Sequence, residues 1–121
     1  MPFFEASQSA IDQFADALWL EDGLSRNTLS AYRSDLRHFA HWLAAQAPPL
    51  ALDAAAEHHI QAYFSARHHG TRATTANRRL TVLRRYFHWA LRERRIAADP
   101  TARLQAARQA LRVPKTLSMA Q

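Results

Sequence analysis

Apolar residues recur at steps of three and four along four stretches of this chain, and that spacing limits what the chain can fold into. It places the apolar side chains on one face of an α-helix. The 121 residues include only two glycines and long runs rich in Ala, Leu and Arg, so the turn residues of β-hairpins are scarce. The sequence therefore predicts an all-α fold, a compact four-helix bundle with a short extra C-terminal helix.

The ends of the predicted helices carry recognisable stop and start signals. Gly23 follows the first helix, Ser25 is the expected N-cap of the second, Pro48 and Pro49 follow that helix, and Asp53 is the expected cap of the third. The predicted helices cover 9–22, 26–47, 54–69, 73–95 and, for the short extra one, 101–110. The apolar seam of the fourth comprises Ala76, Leu80, Leu83, Phe87, Ala90 and Leu91. Val82 and Trp89 lie off that seam, which indicates that this helix packs on two sides.

The length suits one domain, which we place at residues 1–110. Residues 111–121 are expected to be a linker followed by the opening of another helix at Thr116, Leu117 and Ser118. An ending at that point favours a truncated second domain.

Several classes of protein are disfavoured by composition. The chain has no cysteine, which excludes a disulfide scaffold and a thiolate metal site, and no run of about 18 apolar residues that would span a membrane. No leader-like segment opens it. We expect a cytoplasmic protein with no membrane partner, no cofactor and no metal, monomeric as this fragment.

Charge is distributed unevenly along the chain. Residues 1–24 contain five acids and no basic residue, whereas residues 71–95 contain eight arginines and one acid. At about 100° per residue, Arg78, Arg85 and Arg92 form one row on the side of the fourth helix opposite its apolar seam. Such a row suits a track of DNA phosphates, and the alternative is a solvated arginine face. The acidic first helix is expected on the far side, or against a protein partner.

The second and fourth helices both open with hydroxyl, amide and guanidinium side chains. A helix N-terminus attracts phosphate, and Asn and Arg can pair with adenine and guanine in the major groove. For Ser25 ordinary capping is the favoured interpretation. We expect the two openings to converge on one DNA-binding surface. The candidate DNA-binding residues are Arg26, Asn27, Thr28, Arg33, Thr74, Thr75, Asn77, Arg78, Arg79 and Arg85.

Three segments carry a resemblance to a known family. These are Phe14–Glu21 with Gly23–Leu29, Ala73–Leu80 with Leu83–Phe87 and Asp99–Thr101, and Pro114–Ser118. The first two resemble the N-terminal core-binding domain of Xer tyrosine recombinases, the XerD branch more than the XerC branch. The third is similar to the linker and the first turn of the family's catalytic domain. The resemblance covers nearly the whole chain, although no segment is a catalytic signature.

The resemblance implies a SAM-like four-helix domain that forms half of a clamp on double-stranded DNA, with its second and fourth helices in the major groove. The intact enzyme would cut one strand through a tyrosine, forming a 3′-phosphotyrosine, and exchange strands in a tetramer with a partner recombinase subunit. It would resolve chromosome dimers at cell division, with a cell-division DNA translocase as a further partner. The catalytic residues would lie in a C-terminal domain beyond this chain, and Tyr32, Tyr63 and Tyr86 are not expected to be the nucleophile.

The same residues are compatible with other functions. A phage-type or transposon integrase of the same family is one alternative, and a stand-alone helical DNA-binding protein is another, although an entire helix separates the second helix from the fourth. The basic helix could instead bind an acidic protein. A metal site among the seven histidines is disfavoured, because no carboxylate or cysteine accompanies them at a recognised ligand spacing.

Overall fold

The structure, a computed structural model, describes residues 2–104, which form four α-helices joined by short connections. The helices are α1 (Pro2–Asp22), α2 (Arg26–Ala44), α3 (Glu57–Ala66) and α4 (Ala73–Arg92). Short 3-10 helices at Leu52–Ala54 and His68–Gly70 precede and follow α3. No strand occurs among the described residues, so the predicted all-α fold is confirmed.

Helix α1 begins seven residues earlier than the sequence predicts. The buried Ser7 hydroxyl donates to the carbonyl of Phe3 at 3.1 Å and accepts the backbone N–H of Leu52 at 2.8 Å. This contact across 45 residues ties the first turns of α1 to the 3-10 helix. Ser9, where the predicted helix begins, lies inside the observed helix. A long-range hydrogen bond therefore extends a helix whose local pattern suggested a later start.

The connection between α1 and α2 follows the predicted signals. Gly23 has a φ of 62°, a left-handed conformation that glycine adopts without strain. Ser25 is the N-cap of α2, and its hydroxyl oxygen accepts the backbone N–H of Thr28 at 3.1 Å. The capping role favoured for Ser25 is thus confirmed. Helix α2 ends at Ala44, three residues before the predicted end. Pro48 disfavours helical backbone at the residue before it, Ala47, so the helix ends ahead of that position.

Helix α3 is shorter at both ends than predicted, and Asp53 is not its cap. Asp53 lies in the 3-10 helix, where its carboxylate accepts the Tyr86 hydroxyl at 2.5 Å and the Arg95 Nε–H at 3.0 Å. The N-cap of α3 is Ala56, whose side chain cannot accept a hydrogen bond. Instead the Ala56 N–H donates to Nδ1 of His59 at 2.8 Å. The carboxylate therefore connects the 3-10 helix to α4 and does not start α3.

The pKa of His59 is lowered, first by burial and second by the neighbouring His58. A neutral ring keeps Nδ1 available as the acceptor for the Ala56 N–H. This imidazole therefore supplies one half of a capping arrangement at the start of α3.

Helix α4 ends at Arg92 and not at residue 95. The N–H of Arg95 donates to the Ala90 carbonyl at 2.8 Å, and the N–H of Arg94 donates to the Leu91 carbonyl at 3.1 Å. Arg94 has a φ of 62°. These are the two hydrogen bonds and the left-handed residue of a Schellman motif. The sequence misses this end because that position is usually glycine.

The core lies where α1, α2 and α4 meet, with α3 covering one side of α2. Its largest fully buried side chains come from all four helices and the first 3-10 helix: Tyr63, Tyr86, Phe14, Phe39, Phe87, Ile11, Leu36, Leu43, Leu52, Ile60, Leu83 and Val82. Most of the predicted α4 seam is buried, but Leu91 is 40% exposed, whereas Val82 and Tyr86 have no exposed surface. Helix α4 therefore packs on two sides, as the off-seam positions indicated.

The end of the chain is described only to Leu104. Thr101 is buried, and its N–H and hydroxyl both donate to Oδ1 of Asp99, at 2.8 and 2.6 Å. The rest of the predicted helix 101–110, and all of the predicted linker 111–121, lie outside the described residues. Within residues 2–104 no helix is long and apolar enough to cross a membrane.

Candidate nucleic-acid interface

The opening of α4 presents polar side chains and uncapped backbone donors. Arg72 is the N-cap residue and makes no side-chain capping hydrogen bond. Arg72 and Thr74 are exposed, and Thr75 and Asn77 are half-buried. The first N–H groups of a helix lack partners within the helix, and the helix dipole adds positive potential there. This opening therefore has the chemistry of a phosphate-binding terminus.

At the opening of α2 part of that capacity is already used. The Thr28 N–H donates to the Ser25 hydroxyl oxygen, and the Ser25 hydroxyl donates to Oγ1 of Thr28 at 3.0 Å. Arg26 and Asn27 are exposed. The side chains of Arg26 and Asn27 are thus the accessible polar groups of this opening.

The two openings do not meet, contrary to the expectation that they converge on one surface. Arg78 of α4 contacts Asp35 of α2, and Arg85, two turns later, contacts Tyr32, three residues earlier in α2. The helices therefore run in opposite senses where they touch. Asp35 lies nine residues after Arg26, which is about 13 Å along the helix axis. The opening of α4, which precedes Arg78, thus lies beside the C-terminal half of α2. Arg78, Arg79 and Arg85 line a seam between the two helices, the α2/α4 seam.

Asp35 is the centre of this α2/α4 seam. It accepts Arg78 Nε–H at 3.1 Å and Arg78 Nη2–H at 3.0 Å, a bidentate pair, and Nε of Arg79 lies 3.9 Å from Oδ1. The Asp35 side chain is 7% exposed, whereas that of Arg78 is 52% exposed. Nε of Arg79 is buried and makes no hydrogen bond within the described residues. Arg78 is therefore held by a buried acid while the outer part of its side chain remains accessible.

Arg85 lies further along the same seam. Its Nη1–H donates to the Tyr32 hydroxyl at 3.2 Å, its Nη2–H donates to Asp22 at 2.6 Å, and its guanidinium carbon lies 5.7 Å from the centre of the Tyr32 ring. Tyr32 is half-buried. It acts as a platform that orients Arg85.

Arg92 completes the predicted row, and its partners come from the acidic helix. Its Nη1 lies 3.1 Å from Glu21, and its Nε lies 3.3 Å from Glu93. The Glu21 carboxylate, by accepting a hydrogen bond, raises the pKa of Arg92. With Asp22 on Arg85, the C-terminal end of α1 lies against the arginine row. The expectation that α1 lies on the far side is therefore wrong at this end, because local charge density could not show which helix ends are adjacent.

Arg26 and Arg33 lie on the other side of α2, along the groove between α1 and α2. Arg33 forms an ion pair with Asp12 of α1, and Trp19 lines the groove and is 50% exposed. These two candidate arginines therefore do not belong to the α2/α4 seam.

Apart from Arg33, the polar residues on the outer face of α2 were not included in the site prediction. A shallow groove of about 390 Å³ runs along this face. Its lining residues are Ser30, Arg33, Ser34, Arg37, His38 and His41. Their recurrence at steps of three and four on the exposed side was a signal for this face.

Some arginines have no carboxylate within 4.0 Å among the residues 2–104 that the structure describes. They are Arg26, Arg37, Arg67, Arg72, Arg84 and Arg94. Arg72 and Arg84 belong to α4 or its cap, so the basic charge of this helix is only partly neutralised. Arg67 instead lies over the Tyr63 ring, 4.7 Å from its centre.

The tyrosines contribute to packing and positioning. Tyr63 and Tyr86 are buried, and burial raises the pKa of both phenols, which opposes formation of a nucleophilic phenolate. Among the described residues no three His, Asp or Glu side chains lie close enough together to hold a metal ion.

Comparison with known proteins gives a consistent result over most of the chain. Residues 11–94 match the model of the phage integrase N-terminal SAM-like domain. The chain is 54% identical over 121 residues to tyrosine recombinase XerD of Ralstonia nicotianae. This match covers all of the present chain and 39% of the length of that protein. It is 41% identical over 115 residues to the XerD of Proteus mirabilis, and 39% identical over 112 residues to that of Shewanella oneidensis.

The matches to the latter two proteins cover 94% and 92% of this chain, and 36% and 37% of those proteins. The chain thus spans less than two fifths of the length of these relatives. No solved structure matches the chain. The resemblance drawn from the sequence, including the preference for the XerD branch, is confirmed.

Proposed function

The chain belongs to the phage integrase N-terminal SAM-like domain family, and from that membership we propose that it is the DNA-holding domain of a XerD-type tyrosine recombinase. In this role it binds duplex DNA and carries no catalytic residue. We assign strand cleavage and rejoining to a C-terminal domain, in the part of the longer relatives that this chain does not match. The chain supplies affinity and orientation.

The observation that carries this proposal is the α2/α4 seam. Along it the exposed Arg72 and Thr74 are followed by Arg78 and Arg85, whose guanidinium groups are held by partners on α2 yet remain partly accessible. Guanidinium groups whose orientation is restrained lose less entropy when they bind phosphate. Nε of Arg79 is buried beside Asp35 and the side chain is 22% exposed, and we assign this residue to the support of Asp35.

The remaining candidate residues divide into two groups in this proposal. Thr74, Thr75 and Asn77 at the α4 opening, with Asn27 and Thr28 on α2, supply contacts to base edges or to phosphates near the seam. Arg26 and Arg33 lie on the α1 side of α2, where they suit phosphates at the edge of the bound segment.

For the intact protein we propose the activity of its relatives' family. It would break and rejoin DNA through a 3′-phosphotyrosine, work with a partner recombinase subunit in a tetramer, and resolve chromosome dimers at cell division with a DNA translocase. A second half of the clamp, tethered to this domain, would raise the affinity through its effective concentration.

The test is binding of duplex DNA to the 121-residue chain as a function of salt. If about five arginines contact phosphates, the log–log slope is about −4 to −5 and the affinity is about 10⁻⁴ to 10⁻⁶ M. The variant Arg72→Gln with Arg85→Gln is expected to flatten the slope by about 2, so that raising the salt from 50 to 200 mM costs it about tenfold less affinity than it costs the native chain.

The matched control is Arg94→Gln with Arg103→Gln, which removes the same charge beyond the C-terminal end of α4. Arg103 is 86% exposed, and the carboxylate of Glu57 lies 3.9 Å away. We expect the control to retain a slope within about half a unit of the native one. Equal flattening in both variants would show that the seam does not bind DNA, and no binding by the native chain would overturn the proposed function.

A further inference from the structure

Two exposed carboxylates at the end of α1 contact two arginines of the row on α4. Asp22 lies 2.6 Å from Nη2 of Arg85, and Glu21 lies 3.1 Å from Nη1 of Arg92. Both acids come from a helix that carries no basic residue, and they sit at its C-terminal end, where the helix dipole disfavours negative charge. The dipole of α1 therefore does not account for the position of either carboxylate.

The exposure of these pairs separates them from the pair at the centre of the seam. The side chains of Arg85 and Asp22 are 36% and 40% exposed, and those of Arg92 and Glu21 are 55% and 53% exposed. Exposed ion pairs contribute little to stability and exchange partners readily. Asp35, in contrast, is buried, so its pair with Arg78 is part of the fold. The two exposed pairs can open without disturbing the bundle.

A carboxylate and a phosphate compete for the same guanidinium donors. While Asp22 accepts from Nη2 of Arg85, that donor cannot bind a phosphate oxygen, and a carboxylate that stays in place also repels the DNA backbone. Arg85 has a second contact, its Nη1–H to the Tyr32 hydroxyl, which can hold the side chain in the seam when Asp22 is released.

We propose that Glu21 and Asp22 are internal competitors for DNA phosphates, which hold Arg92 and Arg85 in the free domain and lower its affinity for DNA. This inference rests on the proposed DNA-binding function. It gives two acidic residues a role in DNA binding that the pattern of arginines does not reveal. The competition lowers the affinity for every DNA sequence by the same amount. The domain therefore stays bound only where other contacts with the DNA compensate for this loss. The acidic helix thus sets the baseline of binding.

The experiment compares two double variants of the 121-residue chain that raise its net charge by the same amount. Glu21→Gln with Asp22→Asn removes the competitors. Glu5→Gln with Glu57→Gln is the control, because among the described residues neither of these acids lies within 4.0 Å of an α4 arginine. The basic partner of Glu57 is Arg103, at 3.9 Å. Duplex DNA binding is measured from 50 to 200 mM salt, and circular dichroism checks that each variant is folded.

We expect the first variant to bind DNA about tenfold more tightly at 50 mM salt, because Arg85 and Arg92 no longer have to exchange a carboxylate for a phosphate when DNA binds. The control is expected to gain less than about threefold. Replacing Arg85 and Arg92 with Gln in the first variant should abolish most of the gain, since the coupling lies between those pairs.

Equal gains in the two double variants would overturn this inference while the proposed function stands, because they would reflect net charge alone. A gain that survives the loss of Arg85 and Arg92 would overturn it as well. If the native chain and every variant fail to bind duplex DNA at 50 mM salt, the proposed function falls first and the inference with it.

Discussion

Asp35 shows how a single buried acid can change the role of neighbouring arginines. It accepts a bidentate pair from Arg78 and lies 3.9 Å from Nε of Arg79, so both guanidinium groups serve the fold. Helical spacing placed Arg78 on the exposed side of α4, and half of its side chain is exposed. The spacing could not reveal the acid, which lies 43 residues earlier in the sequence. A variant of Arg78 would therefore lose stability as well as DNA contacts.

We predict that Asp35→Asn lowers the free energy of unfolding by about 2–3 kcal/mol, because the buried carboxylate loses the charge that pairs with Arg78 and faces Arg79. The measurement is urea denaturation followed by circular dichroism. Asp22→Asn is the control, since its partly exposed pair with Arg85 is worth less than about 1 kcal/mol. Similar losses in the two variants would contradict the structural role of Asp35.

Helix ends are the features of the elements that tertiary contacts altered most. The existence and order of all four helices follow from apolar spacing, and the start of α4 was predicted at the observed residue. The Ser25 cap follows from the type of residue that precedes α2. The start of α1 instead depends on Ser7 and Leu52, which lie 45 residues apart. The end of α4 depends on Arg94 in a left-handed conformation. No local pattern signals an arginine in that conformation.

At the element scale we predict that Arg94→Gly stabilises the domain by about 0.5–1 kcal/mol, because glycine adopts a positive φ without the strain of a Cβ atom. Thermal unfolding of the variant should show a melting temperature higher by a few degrees. Glu93→Gly is the matched control. Its φ is −82°, so glycine there relieves no strain. It adds backbone entropy to the unfolded chain and removes the exposed contact with Arg92, and should lower the melting temperature. A lower melting temperature for Arg94→Gly would argue against the Schellman ending.

For the whole molecule, the aromatic side chains connect the helices into one core. Phe14 of α1 packs edge-on to Tyr86 of α4 with ring centres 5.3 Å apart, and its ring centre lies 5.5 Å from that of Trp89. Phe39 of α2 and Tyr63 of α3 lie 4.9 Å apart and continue the cluster. Because no boundary interrupts these contacts, the described residues should unfold as one cooperative unit.

At this scale we predict that Phe14→Ala lowers the free energy of unfolding by about 3–5 kcal/mol, the cost of a large cavity at a side chain that is 1% exposed. The transitions followed by tryptophan fluorescence and by circular dichroism should still coincide. Phe3→Ala is the control, because that side chain is 42% exposed and should cost less than about 1 kcal/mol. Separate transitions would indicate that the α1/α4 and α2/α3 parts unfold independently.

The amino-acid sequence by itself determined the all-helical fold, the four helices, the concentration of arginine on α4 and the family resemblance, because helical periodicity and charge density are local properties. Only the tertiary structure decided that α2 and α4 run in opposite senses, that Asp35 holds Arg78, and that Glu21 and Asp22 reach Arg92 and Arg85. These pairs join residues 43 to 71 positions apart. Which helix faces meet depends on how apolar surfaces pack in three dimensions, and the spacing of residues along one helix carries no information about the neighbour it meets.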